Sequence, residues 1–197
     1  MSIVPVEQKN ADRRPDWLRF LASWLRSPLR AGAIAPSSRA LAEEMAFCVA
    51  ARPGMRVLEL GPGTGVVTEA LLAAGVNQSD LVLVEADAEL AALLRRRFPR
   101  ADIRCGDAFA AVTALARAGR EIDAVVSSLP LLVYSSKRRR ELCREAAALV
   151  GPHGRLVQFT YGPTSPIGRL PGVRRSASRR IWGNLPPAVV WTYRPAP

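Results

Sequence analysis

Short apolar segments alternate with helical segments along most of this chain of 197 residues, and this alternation limits the folds open to it. Short apolar runs bounded by turn residues are typical of buried strands, whereas a 3.6-residue apolar repeat is typical of helices. Strands are predicted at residues 55–60, 81–86, 102–105, 122–127 and 155–161. Strands joined in sequence through helices pair in parallel, with helices on both faces of the sheet. The sequence therefore predicts an α/β protein with a mostly parallel sheet.

The predicted helices fill the gaps between these strands, and the pattern changes near the C-terminus. Helices are expected at residues 37–51, after the first strand to about residue 74, and at 88–98, 109–117 and 136–150. Residues 162–173 contain six Gly or Pro and predict a loop, which we expect over the carboxyl edge of the sheet. Two short strands near 176–182 and 188–193 are expected to form a final hairpin.

The charge of the chain is strongly positive and unevenly distributed. The sequence has 28 Lys and Arg against 17 Asp and Glu, which gives a formal net charge of +11. Residues 151–197 contain seven Arg and no acidic residue, so this last quarter of the chain carries +7 of that charge. Such a surplus predicts a polyanionic partner, which is either a nucleic acid or an anionic membrane.

Cysteine and histidine are too few for several kinds of site. Cys48, Cys105 and Cys143 lie far apart, which argues against a disulfide framework and against a zinc site. His153 is the only histidine, so a Ser-His-Asp or Cys-His nucleophile is excluded. We therefore expect no bound metal. Since no apolar run is long enough to span a bilayer, we expect a cytoplasmic protein.

The first 35 residues are predicted to form an N-terminal segment ahead of a domain that spans residues 36–197. Residues 15–30 read PDWLRFLASWLRSPLR, and on a helical repeat Trp17, Phe20, Leu21 and Trp24 share one side. This pattern predicts an amphipathic helix that contacts a membrane surface. Packing of the same apolar side against the sheet domain is the alternative.

A glycine-rich turn follows the first predicted strand, in the run ELGPGTG that begins at Glu59. Gly61 and Gly63 permit a tight turn and let the backbone approach a ligand closely, at the start of the next helix. A carboxylate at Glu59 would repel a pyrophosphate. It suits a ligand that carries an amino group, such as the methionine part of S-adenosylmethionine.

Acidic residues also follow the next two predicted strands. Glu85 ends the second strand, where a carboxylate can accept hydrogen bonds from ribose hydroxyls. Asp107 follows the third strand and can accept from an adenine amino group, while Ala108 or Phe109 flanks the ring. The carboxyl ends of parallel strands share one edge of a sheet, where ligands bind. These residues together predict a site for S-adenosylmethionine.

The segments VLELGPGTG, LVLVEAD and IRCGDAF resemble the successive motifs of class I methyltransferases. The resemblance implies a Rossmann-like sheet of seven strands with the last strand antiparallel. It also implies S-adenosylmethionine as the cofactor and S-adenosylhomocysteine as its product. The cofactor-binding residues expected on this basis are Glu59, Gly61, Gly63, Glu85, Ala86, Asp107, Ala108 and Leu129.

A narrower resemblance covers nearly the whole chain. The segments SPLRAGAIAPSSRALA, VVSSLPLLVY, VQFTYGP and NLPPAVVWTYR resemble bacterial phospholipid N-methyltransferases of the soluble, rhizobial type. The resemblance implies stepwise methylation of phosphatidylethanolamine toward phosphatidylcholine and an N-terminal helix that lies on the membrane. The expected partners are the phospholipid substrate and an anionic membrane surface, at the inner face of the cytoplasmic membrane. We expect no nucleic acid and infer no obligate protein partner.

The acceptor amine needs its own binding residues. Tyr134 and Ser128, after the fourth strand, are the hypothesised catalytic residues that orient the amine, and Tyr161 is a second aromatic candidate. Aromatic faces tolerate the cation that forms as methyl groups accumulate. Arg174 and Arg175 are the candidates for the phosphodiester of the head group, because guanidinium groups bind phosphate bidentately. Packing at the sheet edge is the alternative role for both tyrosines.

Three other functions remain open from the sequence. An rRNA adenine N6-dimethyltransferase would share the cofactor motifs, but it would carry Asn-Leu-Pro-Tyr where this chain has Ser128-Leu129-Pro130-Leu131. A membrane-surface module that binds the cofactor without turnover would be free to lose the acidic and glycine positions. An NAD-binding domain is disfavoured because Val66 stands where the third glycine of G-x-G-x-x-G would be.

Overall fold

Seven strands and the helices between them make up the part of the chain that the computed structural model describes, which is residues 37–119 and 121–196. The helices are α1 (Arg39–Val49), α2 (Val66–Ala73), α3 (Ala88–Arg97), α4 (Ala108–Arg117) and α5 (Ser136–Val150). The strands are β1 (Val57–Leu60), β2 (Leu81–Glu85), β3 (Asp102–Cys105), β4 (Ala124–Ser127), β5 (Arg155–Thr160), β6 (Val173–Ala177) and β7 (Val189–Pro195). Gln78–Asp80 and Leu131–Val133 form short 3-10 helices.

The strands form one sheet in the order β3-β2-β1-β4-β5-β7-β6. The first five strands pair in parallel, and β7 runs antiparallel to both of its neighbours, β5 and β6. This is the Rossmann-like methyltransferase sheet that the sequence predicted, and the expectation of an antiparallel last strand is confirmed. All residues of β1, β2 and β4 are buried, as expected for central strands covered on both faces.

Short polar side chains begin the helices at the carboxyl edge of the sheet. Asp87 caps α3 by accepting from the backbone N–H groups of Glu89 and Leu90, at 2.8 and 3.0 Å. Asp107 caps α4 by accepting from Ala110 N at 2.9 Å, and Ser135 caps α5. Such caps satisfy backbone donors that the first turn leaves without partners. The same caps fix where each strand ends and its helix begins.

Two apolar clusters cover the two faces of the sheet. On the first face, α1, α2 and α3 pack against the strands, with Leu41, Leu71 and Leu94 fully buried. On the second face, α4 and α5 pack through residues such as Val112 and Leu142. Burying a side chain of this size stabilises the fold by about 1.5–3 kcal/mol. Among the described residues, no helix is long and apolar enough to cross a membrane.

The C-terminal loop and hairpin differ from the sequence-based expectation. β6 begins three residues earlier than predicted, and Val173 pairs opposite Pro195 at the end of β7. The loop before β6 therefore runs toward the amino ends of the parallel strands. It packs on the second face, where Ser165 Oγ lies 2.7 Å from Tyr193 Oη and Ile167 is buried. The expected position over the carboxyl edge therefore holds for the start of the loop, where a Cβ of Gly162 would lie 3.7 Å from Leu132 Cδ1, but not for its end at Val173.

The predicted N-terminal segment of residues 1–35, with its amphipathic helix, lies outside the described residues. Its membrane contact stays a prediction. The first described helix, α1, is capped by Ser38, whose Oγ accepts from Leu41 N at 3.2 Å.

The last glycine of the turn after β1 provides a test of the local packing. Gly65 has φ +90°, and a Cβ at this position would lie 2.6 Å from Cε2 of the buried Phe98 ring. We expect Gly65→Ala to lower the free energy of unfolding by about 2–4 kcal/mol, since backbone strain and overpacking add. Urea denaturation measures this difference.

Gly119→Ala is the matched control. Gly119 has φ +61° with no atom within 4 Å of a Cβ, so it reports the backbone strain alone, about 1–2 kcal/mol. If the free energy of unfolding fell equally in the two variants, Phe98 would have moved aside. The close contact between Phe98 and the glycine turn would then add nothing to the cost of Gly65→Ala.

Candidate active site

The residues predicted to bind the cofactor meet at the carboxyl ends of β1, β2 and β3. Glu85, the last residue of β2, is buried and points to the turn after β1. Its Oε2 accepts from Gly63 N at 3.0 Å, and its Oε1 accepts from Asp87 N at 3.0 Å. Each carboxylate oxygen retains further acceptor capacity, because it has two lone-pair sites. Glu85 is thus fixed in position and still able to accept from a ribose, while the neighbouring Ala86 is exposed.

Glu59 lies inside β1 and is fully buried on the first face of the sheet. Its Oε2 accepts from Thr68 Oγ1 at 2.7 Å, whereas its Oε1 has no hydrogen-bond partner among the described residues. Burial raises the pKa of Glu59 to about 7, and the charge of Glu85 contributes in the same direction. A cationic ligand next to Oε1 would reverse both effects. The site therefore fits the amino group of S-adenosylmethionine on the evidence of an orphaned buried oxygen.

Asp107 occupies the third position expected of a cofactor site. One carboxylate oxygen caps α4 and the other lies 3.5 Å from Arg138 Nη2. Ala108 and Phe109 follow it in the first turn of α4, with Ala108 buried. This places a carboxylate and an apolar surface side by side, the pair expected to flank an adenine.

Arg138 contacts both Asp107 and Tyr134, and it was not among the residues predicted from the sequence. Its guanidinium lies 4.2 Å from the ring centroid of Phe109 and 5.4 Å from that of Tyr134. The two rings are themselves in edge contact, with centroids 5.0 Å apart. A signal was present in the sequence, since four basic residues open α5 where a helix disfavours cations. Such a run predicts anionic partners, and Asp107 is one of them.

The run after β4 lies directly against the glycine turn. The side chain of Leu129 lies 3.0 Å from the position that a Cβ of Gly61 would take, and Gly61 has φ +68°. A side chain at this turn would therefore push the run away. Ser128 N continues the ladder by donating to Leu60 O at 2.9 Å. Ser128 Oγ is buried and lacks a partner in the part of the chain that the structure describes.

Gln158 is a second residue that sequence reasoning missed. It is fully buried in β5, and its Nε2 donates to the carbonyl oxygen of Leu129 at 2.9 Å and to that of Phe159 at 2.7 Å. It therefore fixes the backbone between Ser128 and the rest of the run. The signal was a polar residue inside an apolar strand, RLVQFT, because a buried polar group needs a specific partner.

The two candidate tyrosines lie on opposite faces of the sheet. Tyr134 packs with the cluster on the second face, beside Phe109, and burial raises its pKa. Tyr161 packs with the cluster on the first face, in edge contact with Phe159 at 5.2 Å. Burial raises the pKa of Tyr161 to about 12, while a hydrogen bond with Asn184 acts in the opposite direction. The structure thus brings Tyr134, but not Tyr161, to the side of Asp107 and Phe109.

Arg174 and Arg175 are not brought to this site. Both lie on β6, where Arg174 pairs opposite Arg194 and Arg175 opposite Tyr193. Tyr193 in turn pairs with Leu156, near the amino end of β5. The two arginines therefore lie toward the amino edge, on the strand at the end of the sheet, and Arg175 lies 5.5 Å from the ring centroid of Trp191. The register of the hairpin, which the sequence did not specify, is the reason.

The raised pKa of Glu59 gives a testable dependence of stability on pH. The pKa of Glu59 has its ordinary value of 4.5 in the unfolded chain and is about 7 in the folded protein. Between these two pH values, the carboxyl group is therefore protonated only in the folded state. Stability therefore falls as the pH rises through this window and levels off above it. We expect Glu59→Gln, which is neutral and can still accept from Thr68, to lack this fall, which amounts to at most about 3 kcal/mol.

Urea denaturation of both proteins at several pH values measures the difference between their profiles. Parallel profiles between pH 4.5 and pH 7 would show that burial does not raise the pKa of Glu59.

Comparisons with known proteins agree with this geometry. Residues 57–154 match a family model described as a methyltransferase domain. An ornithine lipid N-methyltransferase from Singulisphaera acidiphila is 29% identical over 152 residues, which cover 75% of this chain and 79% of that protein. Ribosomal RNA small subunit methyltransferase A from Synechococcus elongatus is 38% identical over 87 residues, 44% of this chain. The chain spans only 26% of the length of that relative.

Solved structures give the same fold. TrmN from Thermus thermophilus has a TM-score of 0.65 at 25% identity, over 87% of this chain and 53% of that chain. The O-methyltransferase TomG from Streptomyces achromogenes, in complex with S-adenosylmethionine, has a TM-score of 0.64 at 16% identity, over 93% of this chain and 92% of that chain. The sheet, the carboxylates at its carboxyl edge and these comparisons identify the chain as an enzyme with a class I, S-adenosylmethionine-dependent methyltransferase domain.

Proposed function

We propose that this enzyme is a lipid N-methyltransferase that transfers methyl groups to the amine of phosphatidylethanolamine and of its mono- and dimethyl derivatives, toward phosphatidylcholine. The observation that carries the proposal is the structure of residues 128–131 after β4, called the acceptor run below, which contain oxygen acceptors but no aromatic side chain on which a base could stack. The similarity to a lipid N-methyltransferase over most of both chains supports it.

The acceptor run is unsuited to stacking a nucleobase. Leu131 stands where an adenine-methylating enzyme is expected to carry an aromatic residue, and it is 2% exposed in the 3-10 helix after Pro130. Its side chain packs in the cluster on the second face. Recognition of an extruded base relies on aromatic stacking and on hydrogen bonds to the base edge. A buried leucine at this position therefore favours a small aliphatic amine.

Oxygen atoms in the same run suit an amine acceptor. When bound, S-adenosylmethionine supplies a methyl group on a sulfonium, and the attacking nitrogen must be neutral and aligned with it. The unpartnered Ser128 Oγ can accept one N–H of the amine and so direct its lone pair. Because Gln158 holds the Leu129 carbonyl, the run stays in place while the amine binds. Positioning of this kind accounts for much of the rate of a displacement.

Tyr134 serves as an aromatic surface and not as the base. Burial raises its pKa, so the phenol remains protonated and neutral at physiological pH. Its ring can interact with the quaternary ammonium that forms as methyl groups accumulate, at about 0.5–2 kcal/mol. The proton released from the amine in the first steps must pass to water. We propose that the enzyme works at the inner face of the cytoplasmic membrane, where its substrate lies.

Methylation of rRNA adenine is the second candidate, and the similarity to ribosomal RNA small subunit methyltransferase A supports it. Purified full-length protein with labelled S-adenosylmethionine is offered phosphatidylethanolamine vesicles, ornithine lipid vesicles, and 16S and 23S rRNA in parallel. We expect label in the methylated derivatives of phosphatidylethanolamine, resolved by thin-layer chromatography. Label in ornithine lipid alone would overturn the head group, and label in rRNA alone would overturn the lipid class.

Gln158 provides a test of the acceptor run. We expect Gln158→Met, which keeps the volume but removes both donors, to lower kcat by about tenfold or more. The affinity for S-adenosylmethionine, measured by calorimetry, should stay within about twofold, because Gln158 hydrogen-bonds to none of the carboxylates Glu59, Glu85 and Asp107. The buried carbonyls left without a donor should also lower the free energy of unfolding by about 1–3 kcal/mol.

Gln78→Met is the control, since Gln78 precedes β2 at the opposite edge of the sheet and its side-chain Oε1 accepts from Arg100 N at 2.7 Å. An unchanged kcat in Gln158→Met would show that Gln158 does not position the run.

A further inference from the structure

The connection between β6 and β7, residues 178–188, exposes two large apolar side chains. Trp182 is 77% exposed and Leu185 is 83% exposed. Among the described residues, the only other large apolar side chain of this kind is Phe47 on α1, which is 79% exposed. Two such residues within four positions of one connection form a local apolar projection. Residues 179–185, which contain them and two arginines, are called the hairpin tip below.

The hairpin tip lies at the edge of the sheet that holds the active site. Val189, the first residue of β7, pairs opposite Thr160, the last residue of β5. The connection that leads into β7 therefore lies beyond the carboxyl end of β5, next to β4 in the sheet. The acceptor run begins at the carboxyl end of β4. The tip and the acceptor run thus face the same side of the molecule.

The exposure of Trp182 and Leu185 is fixed by the residue between them. Asn184 is buried, and its Oδ1 accepts from Ser38 N at 2.7 Å while its Nδ2 donates to Pro186 O at 2.8 Å. Backbone hydrogen bonds join Ile181 and Ala188 in both directions. The tip is therefore held against the start of α1, with its two apolar side chains directed away from the packing contact.

The charge of the hairpin tip indicates what it meets. Arg179 is exposed, and the guanidinium of Arg180 lies 6.0 Å from the ring centroid of Trp182. No acidic residue occurs anywhere from residue 151 to residue 197. Tryptophan is enriched at the level of lipid head groups, and arginine there is attracted to anionic lipid. A nucleic acid would match the arginines but would leave Leu185 without a partner.

We propose that the hairpin tip docks on an anionic lipid bilayer, with Trp182 and Leu185 entering the interface and Arg179 and Arg180 at the level of the head groups. This inference rests on the proposed lipid substrate and names a contact for it. Since the tip and the acceptor run share one side of the molecule, docking brings the run to the level at which amine head groups lie.

The test compares the full-length protein with Trp182→Ala/Leu185→Ala and with the control Phe47→Ala. Phe47 is equally exposed but lies at the far end of α1, where Arg155 Nη1, at the start of β5, donates to Cys48 O at 3.4 Å. Vesicles of equal parts phosphatidylglycerol and phosphatidylcholine are sedimented with each protein. We expect the double variant to bind at least about tenfold more weakly than wild type, because it lacks the apolar surface that would be buried. The control should bind as wild type does. A variant with Trp182→Phe in place of Trp182→Ala should recover most of the vesicle binding that the double variant loses.

Turnover separates this inference from the proposed function. On phosphatidylethanolamine dispersed in detergent, the double variant should work as wild type does, whereas on vesicles it should lose most of its activity. Equal vesicle binding by wild type and double variant, or an equal loss in Phe47→Ala, would overturn docking while leaving the lipid substrate standing. Absence of lipid methylation in both formats would instead overturn the proposed function. A concentration-dependent dimer that the double variant abolishes would show that the tip meets a second copy and overturn the lipid assignment.

Discussion

The parallel ladders that join β1 to β2 on one side and to β4 on the other determine where the candidate site residues lie. Leu60 pairs with Val84 and with Ser127, so β1 and β4 end at the same level and β2 extends one residue further, to Glu85. The ladders continue one residue beyond the strands, through Gly61 N to Val84 O and Ser128 N to Leu60 O, both at 2.9 Å. The glycine turn and the acceptor run are therefore held as extensions of the sheet, and a shift of one strand would displace both.

Charged and uncharged groups lie side by side at this edge of the sheet. Glu59 and Glu85 are buried carboxylates close enough for the charge of one to raise the pKa of the other. Such a pair is costly without a cation, so this part of the edge selects a positively charged ligand. In the proposed function, the acceptor run meets a neutral amine through the uncharged Ser128 Oγ, while the Leu129 carbonyl is held by Gln158.

The alternation of strands and helices was predictable because each element satisfies its own local pattern. Residues 102–105 and 136–150 were predicted with the bounds that the structure has. Contacts between distant residues were not predictable in this way. Arg138 meets Asp107 across two helices, and Gln158 meets Leu129 across two strands. Each depends on a register that no periodicity specifies, and the same reason explains why Arg174 and Arg175 lie toward the amino edge and not beside the residues that follow β4.

Arg174 and Arg175 have a physical role where they are found. They lie on β6, the last strand of the described sheet, and both are exposed. β3, at the opposite end, carries the ion pair of Asp102 and Arg104. An open sheet offers unpaired backbone groups at its two outermost strands, which can recruit strands from other molecules, and charged side chains on those strands oppose this. Charge at Arg174 and Arg175 thus disfavours the pairing of β6 with a strand of another molecule.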